Sequence, residues 1–229
     1  MVTHPLVVPL HVSGRSKSHA LMYFRMCAGA LVTYRQHANR LSSLDPLDPR
    51  YDQIYSVVEE AGVAPVVYAG MCLEATLYDL SVCLFGDEFV EHTDKLDPLA
   101  KFFVIVQLVD RQPPSTASIT YQTIQAAVTA RNKLVHSKSH AGIDEFNLDK
   151  VMGLAQKQHE QHMLGITASF RALVLLSLYF DGNIFEELRI IPSFKKREYW
   201  ADLVPKELHE DVKRCINASR KERQQGAGK

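Results

Sequence analysis

The sequence predicts an all-α protein: an antiparallel bundle of four to five helices with further helical segments at both ends. Apolar residues recur at spacings of three and four through most of the chain, which is the period of one helix face. Prolines and glycines interrupt this period, and they leave segments of helical length joined by short to moderate connections. The predicted helices cover residues 18–44, 48–61, 65–85, 97–110, 115–136, 145–180 and 205–222.

Composition limits the class of protein. The chain has 229 residues, of which 46% are hydrophobic, so it can bury a core and is not predominantly disordered. Its 26 basic and 26 acidic residues cancel, which argues against a strongly basic nucleic-acid binder but permits a local basic site. The cysteines form no C-x-x-C pair, and we find neither a signal peptide nor an uninterrupted apolar run of membrane-spanning length. We therefore expect a soluble cytoplasmic protein with free thiols and no membrane partner.

The first helices are defined by clear breaks. Residues 1–16 lack a helical period and predict an extended arm, after which apolar residues from Leu21 to Leu31 form one face. The prolines of Asp45–Pro49 end this helix, and Asp48 is expected to cap a second one that stops at Gly62. Residues 65–85 are apolar on nearly all sides, which predicts a helix at the centre of the bundle that ends at Gly86.

The later segments leave more alternatives. Phe102–Val106 is a β-prone apolar run, but its helical flanks favour a helix over a buried strand. Pro113–Pro114 separates this helix from the next, and residues 145–180 are one long helix or two with a kink near Gly165. A turn is expected at 181–183, followed by an irregular stretch in which Ile190–Pro192 is a candidate short strand.

The end of the helix predicted at 115–136 carries the most informative pattern. Its apolar stripe of Tyr121, Ile124 and Val128 predicts that positions 131 and 135 also face inward, and position 131 is an arginine. An arginine facing the interior is costly unless an anion or another hydrogen-bond partner meets it. His136 follows five residues later, about 140° around the helix, so one helix does not readily bring the two side chains together.

The segment resembles the HEPN superfamily, in which a helix carries an arginine, a polar residue directly after it and a histidine four to six positions beyond. Arg131, Asn132 and His136 match that pattern. The preceding apolar helix with an embedded glutamate, Met71–Leu80 with Glu74, is also similar. The resemblance covers about residues 64–180. We therefore divide the chain into an arm at 1–16, a HEPN-like domain at 17–181 and a C-terminal extension at 182–229 with one helix and a frayed tail.

The resemblance implies a helical bundle, often dimeric, that acts as a metal-independent endoribonuclease without a cofactor. RNA supplies its own 2′-OH nucleophile, so a histidine that moves protons and an arginine that binds phosphate would suffice. Arg131, Asn132 and His136 would be the catalytic residues, Lys133 and Lys138 would bind substrate, and Glu74 would position Arg131. The products would carry a 2′,3′-cyclic phosphate and a 5′-hydroxyl. By analogy, such a homodimer would be a toxin or antiphage defence effector and would need an antitoxin or another neutralising protein.

Other interpretations remain open. The superfamily also includes non-catalytic modules that bind nucleotide, RNA or a protein partner. In a purely structural alternative, the chain is an α-helical scaffold in which Arg131 pairs with Glu74 inside the bundle; for Glu74 itself we favour the ion pair.

Two weaker patterns have ordinary explanations. His159 and His162 are three apart rather than the four of zinc proteases, so we expect no metal site there. The basic runs 195–197 and 220–223 are typical of solvated surface, and we expect Trp200 to pack in the core rather than stack on a base.

Overall fold

The computed structural model describes residues 18–135, 148–181 and 190–226, and within these ranges the chain is helical without a β-strand. The helices are α1 (Ala20–Ser42), α2 (Tyr51–Phe85), α3 (Asp87–Thr93), α4 (Pro98–Asp110), α5 (Ile119–Val135), α6 (Leu148–Asp181) and α7 (His209–Gly226), with 3₁₀ turns at Arg197–Tyr199 and Lys206–Leu208. The all-α prediction is confirmed, and Phe102–Val106 lies in α4. The predicted arm at 1–16, the loop at 137–142 and residues 182–183 of the predicted turn lie outside the described residues.

Four long helices pack with alternating direction. Helices α1 and α2 are antiparallel, because the Cys27 thiol near the middle of α1 donates to the carbonyl of Pro65, and the Cys72 thiol further along α2 donates to that of Ala20 at the start of α1. Helices α5 and α6 are antiparallel as well, since Ala130 meets Gly165 and Lys133 bonds Gln161. The bundle that we predicted as antiparallel is thus present.

The direction of α6 relative to α1 completes the arrangement. The rings of Phe24 and Phe170 lie 5.6 Å apart, and the Tyr34 hydroxyl, ten residues further along α1, reaches the sulfur of Met163. Helices α1 and α5 therefore run one way, and α2 and α6 run the other. The described side chains that are large and fully buried come from all four of these helices, from α4 and from the segment before α7.

Helix α2 corrects the prediction of two helices separated at Gly62. It begins at Tyr51, because Asp48 accepts the Arg50 backbone N–H in a turn instead of capping a helix at Pro49. It then continues through Gly62 and Pro65. A Cβ at position 62 would lie 2.6 Å from the Ile166 side chain, so this glycine makes room for α6 and does not end the helix. The predicted end at Gly86 is confirmed, with φ at 86° in the region that favours glycine.

Three further expectations need correction. Helix α3 was not predicted, and α5 begins at Ile119 rather than at Ser115. Residues Ile190–Pro192 form no strand in the structure. Val135 is 52% exposed and not an inward position, because the buried face of α5 passes through Thr120, Ile124 and Ala127, and the helix leaves the core at its C-terminal end. Helix α6 passes Gly165 without interruption, which settles the choice between one helix and two.

The C-terminal segment packs on the bundle through one aromatic cluster and one ionic cluster. Trp200 is 3% exposed and contacts the rings of Phe194 and His209, as its predicted core position requires. The buried carboxylate of Asp211 pairs with Arg35 of α1 at 2.7 Å and with Arg171 of α6 at 3.3 Å. Burial raises the pKa of this carboxyl, but the hydrogen bond and charge of Arg35, with Arg171, outweigh it and lower the pKa overall. Helix α7 is thus tied to both α1 and α6.

In the part of the chain that the structure describes, two stretches are long and apolar enough to cross a membrane by length and composition, namely α2 and the part of α6 from His159 to Phe180. Within the bundle, 44% and 72% of their most apolar windows are buried. Core helices of soluble proteins pass the same test, so this is weak evidence for a membrane span.

Candidate functional site

The site lies where the C-terminal end of α5 crosses α2. Gly70 and Glu74 are one turn apart on α2, so they share a face, and Arg131 of α5 lies against both. A Cβ at position 70 would come within 2.8 Å of Arg131 Cγ. The missing side chain of Gly70 therefore provides the space across which the arginine stem runs.

The guanidinium of Arg131 makes two polar contacts among the described residues. Its Nη2 lies 3.3 Å from Oε1 of Glu74, and its Nη1 donates to Oδ1 of Asn132 at 3.1 Å. The contact with Glu74 is an ion pair, and the contact with Asn132 is a hydrogen bond that uses one N–H. Because a guanidinium carries five N–H donors in a planar fork, the group retains donors for an anion.

Exposure places this pair at the rim of the bundle. The Arg131 side chain is 27% exposed and that of Glu74 is 44% exposed. The predicted ion pair is therefore present, but its expected place inside the bundle is wrong. Position 131 continues the stripe of Ile124 and Val128, but the stem passes over Gly70 and carries the charge out to water. Water solvates a charge at such a rim, so the pair contributes little to stability.

Lys133 leaves α5 in a different direction. Its Nζ donates to the side-chain oxygen of Gln161 on α6, whereas Arg131 contacts α2. The structure brings Arg131, Asn132 and Glu74 together and directs Lys133 elsewhere. As a predicted substrate-binding residue, Lys133 therefore stands apart from the arginine.

The histidine of the motif, His136, and the second predicted substrate-binding lysine, Lys138, lie outside the described residues. Helix α5 is described through Val135, so His136 is the next residue along the chain. That Arg131 and His136 meet across a dimer rather than within one chain therefore stays a prediction.

Two glycines contribute to the site through close approach rather than through chemistry. Gly70 seats the Arg131 stem, and Gly165 allows α6 to approach α5, where a Cβ would lie 2.3 Å from that of Ala130. The residue pattern alone assigned no role to Gly70. The available signal was a glycine in the middle of a long apolar helix, since such a residue costs about 1 kcal/mol against alanine and needs a packing reason.

Other side chains that could carry out chemistry have structural partners or are buried. His159 Nδ1 lies 3.5 Å from Oε1 of Glu59, which pairs α6 with α2. Among the described residues, no three His, Cys, Asp or Glu side chains are grouped to hold a metal ion. Burial raises the pKa of Cys72 and of Cys215 to about 12, so at neutral pH these thiols are protonated and are poor nucleophiles.

Comparison of the chain with protein-family models, curated proteins and solved structures gives no match. The functional argument therefore depends on the residues at the end of α5 and on their contacts.

Proposed function

We propose that this protein is a HEPN-type, metal-independent endoribonuclease whose site lies at the C-terminal end of α5. One observation carries the proposal: the Arg131 guanidinium lies at a solvent-accessible rim, oriented by Glu74 and Asn132, five residues before a histidine. An arginine needed only for packing has no requirement for a neighbouring asparagine that fixes the plane of its fork. An arginine that receives a phosphate has that requirement.

In the proposed reaction, the 2′-oxygen of RNA attacks the adjacent phosphorus and the bond from phosphorus to the 5′-oxygen breaks. One His136 accepts the proton of the 2′-OH, and a second His136 from another subunit donates a proton to the leaving oxygen. Arg131 donates to the phosphate oxygens as their charge shifts, and Asn132 holds the guanidinium plane. The products are a 2′,3′-cyclic phosphate and a 5′-hydroxyl, and no redox change or cofactor enters the balance.

The same contacts also favour a second candidate, a non-catalytic HEPN module that binds RNA, nucleotide or a protein. Glu74 places a negative charge 3.3 Å from Arg131, which opposes the build-up of negative charge on the phosphate oxygens in the transition state. In that case the protein would bind its ligand without cleaving it. The homodimer, the cytoplasmic location and a neutralising partner belong to the nuclease proposal as expectations.

The test is incubation of the purified protein with total RNA in excess EDTA, followed by chemical analysis of the new ends. We expect cleavage in the chelator, with cyclic phosphate and 5′-hydroxyl ends. His159→Ala is a matched control, because it removes an exposed histidine that pairs with Glu59 and lies on α6. Loss of cleavage in His136→Ala with retention in His159→Ala supports the site, whereas a wild-type protein that binds RNA but leaves it intact supports the second candidate.

A further inference from the structure

A pocket at the other end of α5 combines an apolar floor with a basic rim. Leu178, Phe194 and Ile216 provide the apolar surface, and Ser219 of α7 also lines the pocket. Its three cations are Lys195, Arg220 and Arg223. Positions 216, 219, 220 and 223 have the spacing of one helix face, so α7 presents the floor and two of the cations together.

The charges around the pocket are predominantly positive. Lys196 and Arg197 follow Lys195 directly, and Lys221 lies between the two pocket arginines on α7. The neighbouring carboxylate of Glu222 is directed away, since its Oε1 accepts the backbone N–H of Ile119 at 2.8 Å. Arg223 is held in place, because its Nη2 donates to the carbonyl of Leu178 near the end of α6. Several cations in a row suit an extended polyanion better than one small anion.

The pocket volume limits what can enter. It measures about 140 Å³, and an apolar cavity of about 150 Å³ accommodates one benzene. A single aromatic ring therefore fits, and the phosphates on either side of it would meet the rim cations. A flexible single strand with unstacked bases presents this combination, whereas a duplex keeps its bases stacked inside.

The pocket is separate from the proposed catalytic site. The contact of Glu222 with Ile119 places this part of α7 at the start of α5, and Arg131 lies twelve residues further along. At about 1.5 Å per residue the separation along α5 is about 18 Å.

We infer that this pocket is a docking site for single-stranded RNA, which takes up one pyrimidine base and binds its flanking phosphates near the end of α5 opposite the proposed catalytic site. The inference rests on the proposed function for the identity of the polyanion. Its physical basis is the cationic rim around a cavity of one-ring size.

The test measures binding of a fluorescein-labelled ten-nucleotide oligouridylate by anisotropy, with every variant in the His136→Ala background so that cleavage does not interfere. Lys195→Glu combined with Arg220→Glu is expected to weaken binding about tenfold. Arg214→Glu combined with Lys206→Glu is the matched control. It reverses the same number of charges, one on α7 and one in the turn before it, and neither exposed residue lines the pocket. Equal weakening by the two double variants would overturn the docking site in favour of general charge attraction.

A second pair of variants tests the cavity without changing charge. Ile216→Phe fills the pocket and is expected to weaken binding about tenfold, with an unchanged dependence of affinity on salt, while Ile216→Val retains binding. Arg220→Ala should lower the slope of log affinity against log salt by about 0.7, the value for one phosphate contact of a single strand. Thermal melts establish that each variant is folded. Wild-type affinity in the Ile216→Phe protein would contradict the base pocket.

The outcomes separate this inference from the nuclease proposal. Binding that depends on the pocket, together with a wild-type protein that leaves RNA intact, supports the docking site and refutes the nuclease. Cleavage with end chemistry as proposed, together with affinity that is insensitive to all the pocket variants, supports the nuclease and refutes the docking site.

Discussion

Replacing Arg131 with lysine separates a phosphate-binding role from a structural one. The variant keeps the positive charge and most of the stem that crosses Gly70. It loses the planar fork, which can bind a phosphate through two parallel hydrogen bonds. The two roles therefore predict different losses for the same substitution.

The structure sets the size of the stability change. The Arg131 and Glu74 side chains are 27% and 44% exposed and lie 3.3 Å apart, and exposed pairs of this kind contribute about 0–1 kcal/mol. Lysine can still pair with Glu74, so we expect the free energy of unfolding to fall by less than about 1 kcal/mol. For the same reason, we expect substitution of Glu74 to lower the free energy of unfolding by no more than about 1 kcal/mol.

The expected change in activity is larger. Loss of one donor to a developing oxyanion lowers turnover by about 10²–10³-fold. We therefore expect Arg131→Lys to fold nearly normally and to lose most RNA cleavage. Glu74→Gln is the matched control, because it removes the ion pair but keeps the fork of Arg131.

The assay measures chemical denaturation and single-turnover RNA cleavage on the same preparations. Retention of most cleavage by Glu74→Gln, together with its loss in Arg131→Lys, supports phosphate binding by Arg131. The reasoning is refuted if Arg131→Lys melts far below wild type while the specific activity of its folded fraction is preserved. That result would make Arg131 a structural residue.

Three further predictions concern the bundle and its assembly. Gly165→Ala would place a Cβ 2.3 Å from that of Ala130, so it should destabilise the protein by about 1–3 kcal/mol in urea unfolding. Gly153→Ala is the control, because its Cβ would meet nothing within 4 Å, and it should be neutral or stabilise the protein by up to about 1 kcal/mol. Equal effects of the two substitutions would contradict the close approach of α5 and α6. The lowered pKa of Asp211 means that its contribution to stability is complete above the usual carboxyl pKa of about 3.9 and is lost as pH falls through the folded-state pKa. The unfolding midpoints of wild type and Asp211→Asn should therefore differ at pH 7, and the difference should shrink as pH falls below about 3.9. A difference that stays constant in acid would refute the ionic role. Light scattering at assay concentration should show a homodimer, and a fully active monomer would argue against a site composed of two subunits.

Periodicity was sufficient to predict the fold class, because each long helix has a core face several turns long. The same method predicted a helix break at Gly62 that the structure does not have. Glycine serves both as a helix stop and as a point of close packing, and periodicity does not distinguish the two. The sequence does not show that Ile166 of α6 fills the space beside it. Helix α2 continues there because tertiary packing outweighs the local preference.

The sequence predicted which residues lie at the end of α5, but it did not predict how deeply they are buried. The stripe through Ile124 and Val128 correctly placed Arg131 on the face toward the bundle. Periodicity carries no information on where the bundle ends, so it did not show that the guanidinium reaches water across Gly70. For the same reason it assigned Val135 to the interior, although that residue lies beyond the core.

The most direct test of the nuclease account is the cleavage rate of His136→Ala on an RNA substrate in EDTA, compared with wild type and with the exposed-histidine control His159→Ala. The account predicts that cleavage is abolished in His136→Ala alone and that its thermal midpoint stays near that of wild type, because a proton-transfer histidine contributes to the reaction and little to packing. It also predicts cyclic phosphate ends in the two active proteins. Cleavage by His136→Ala at the wild-type rate would contradict the assignment of this residue and the proposed mechanism with it.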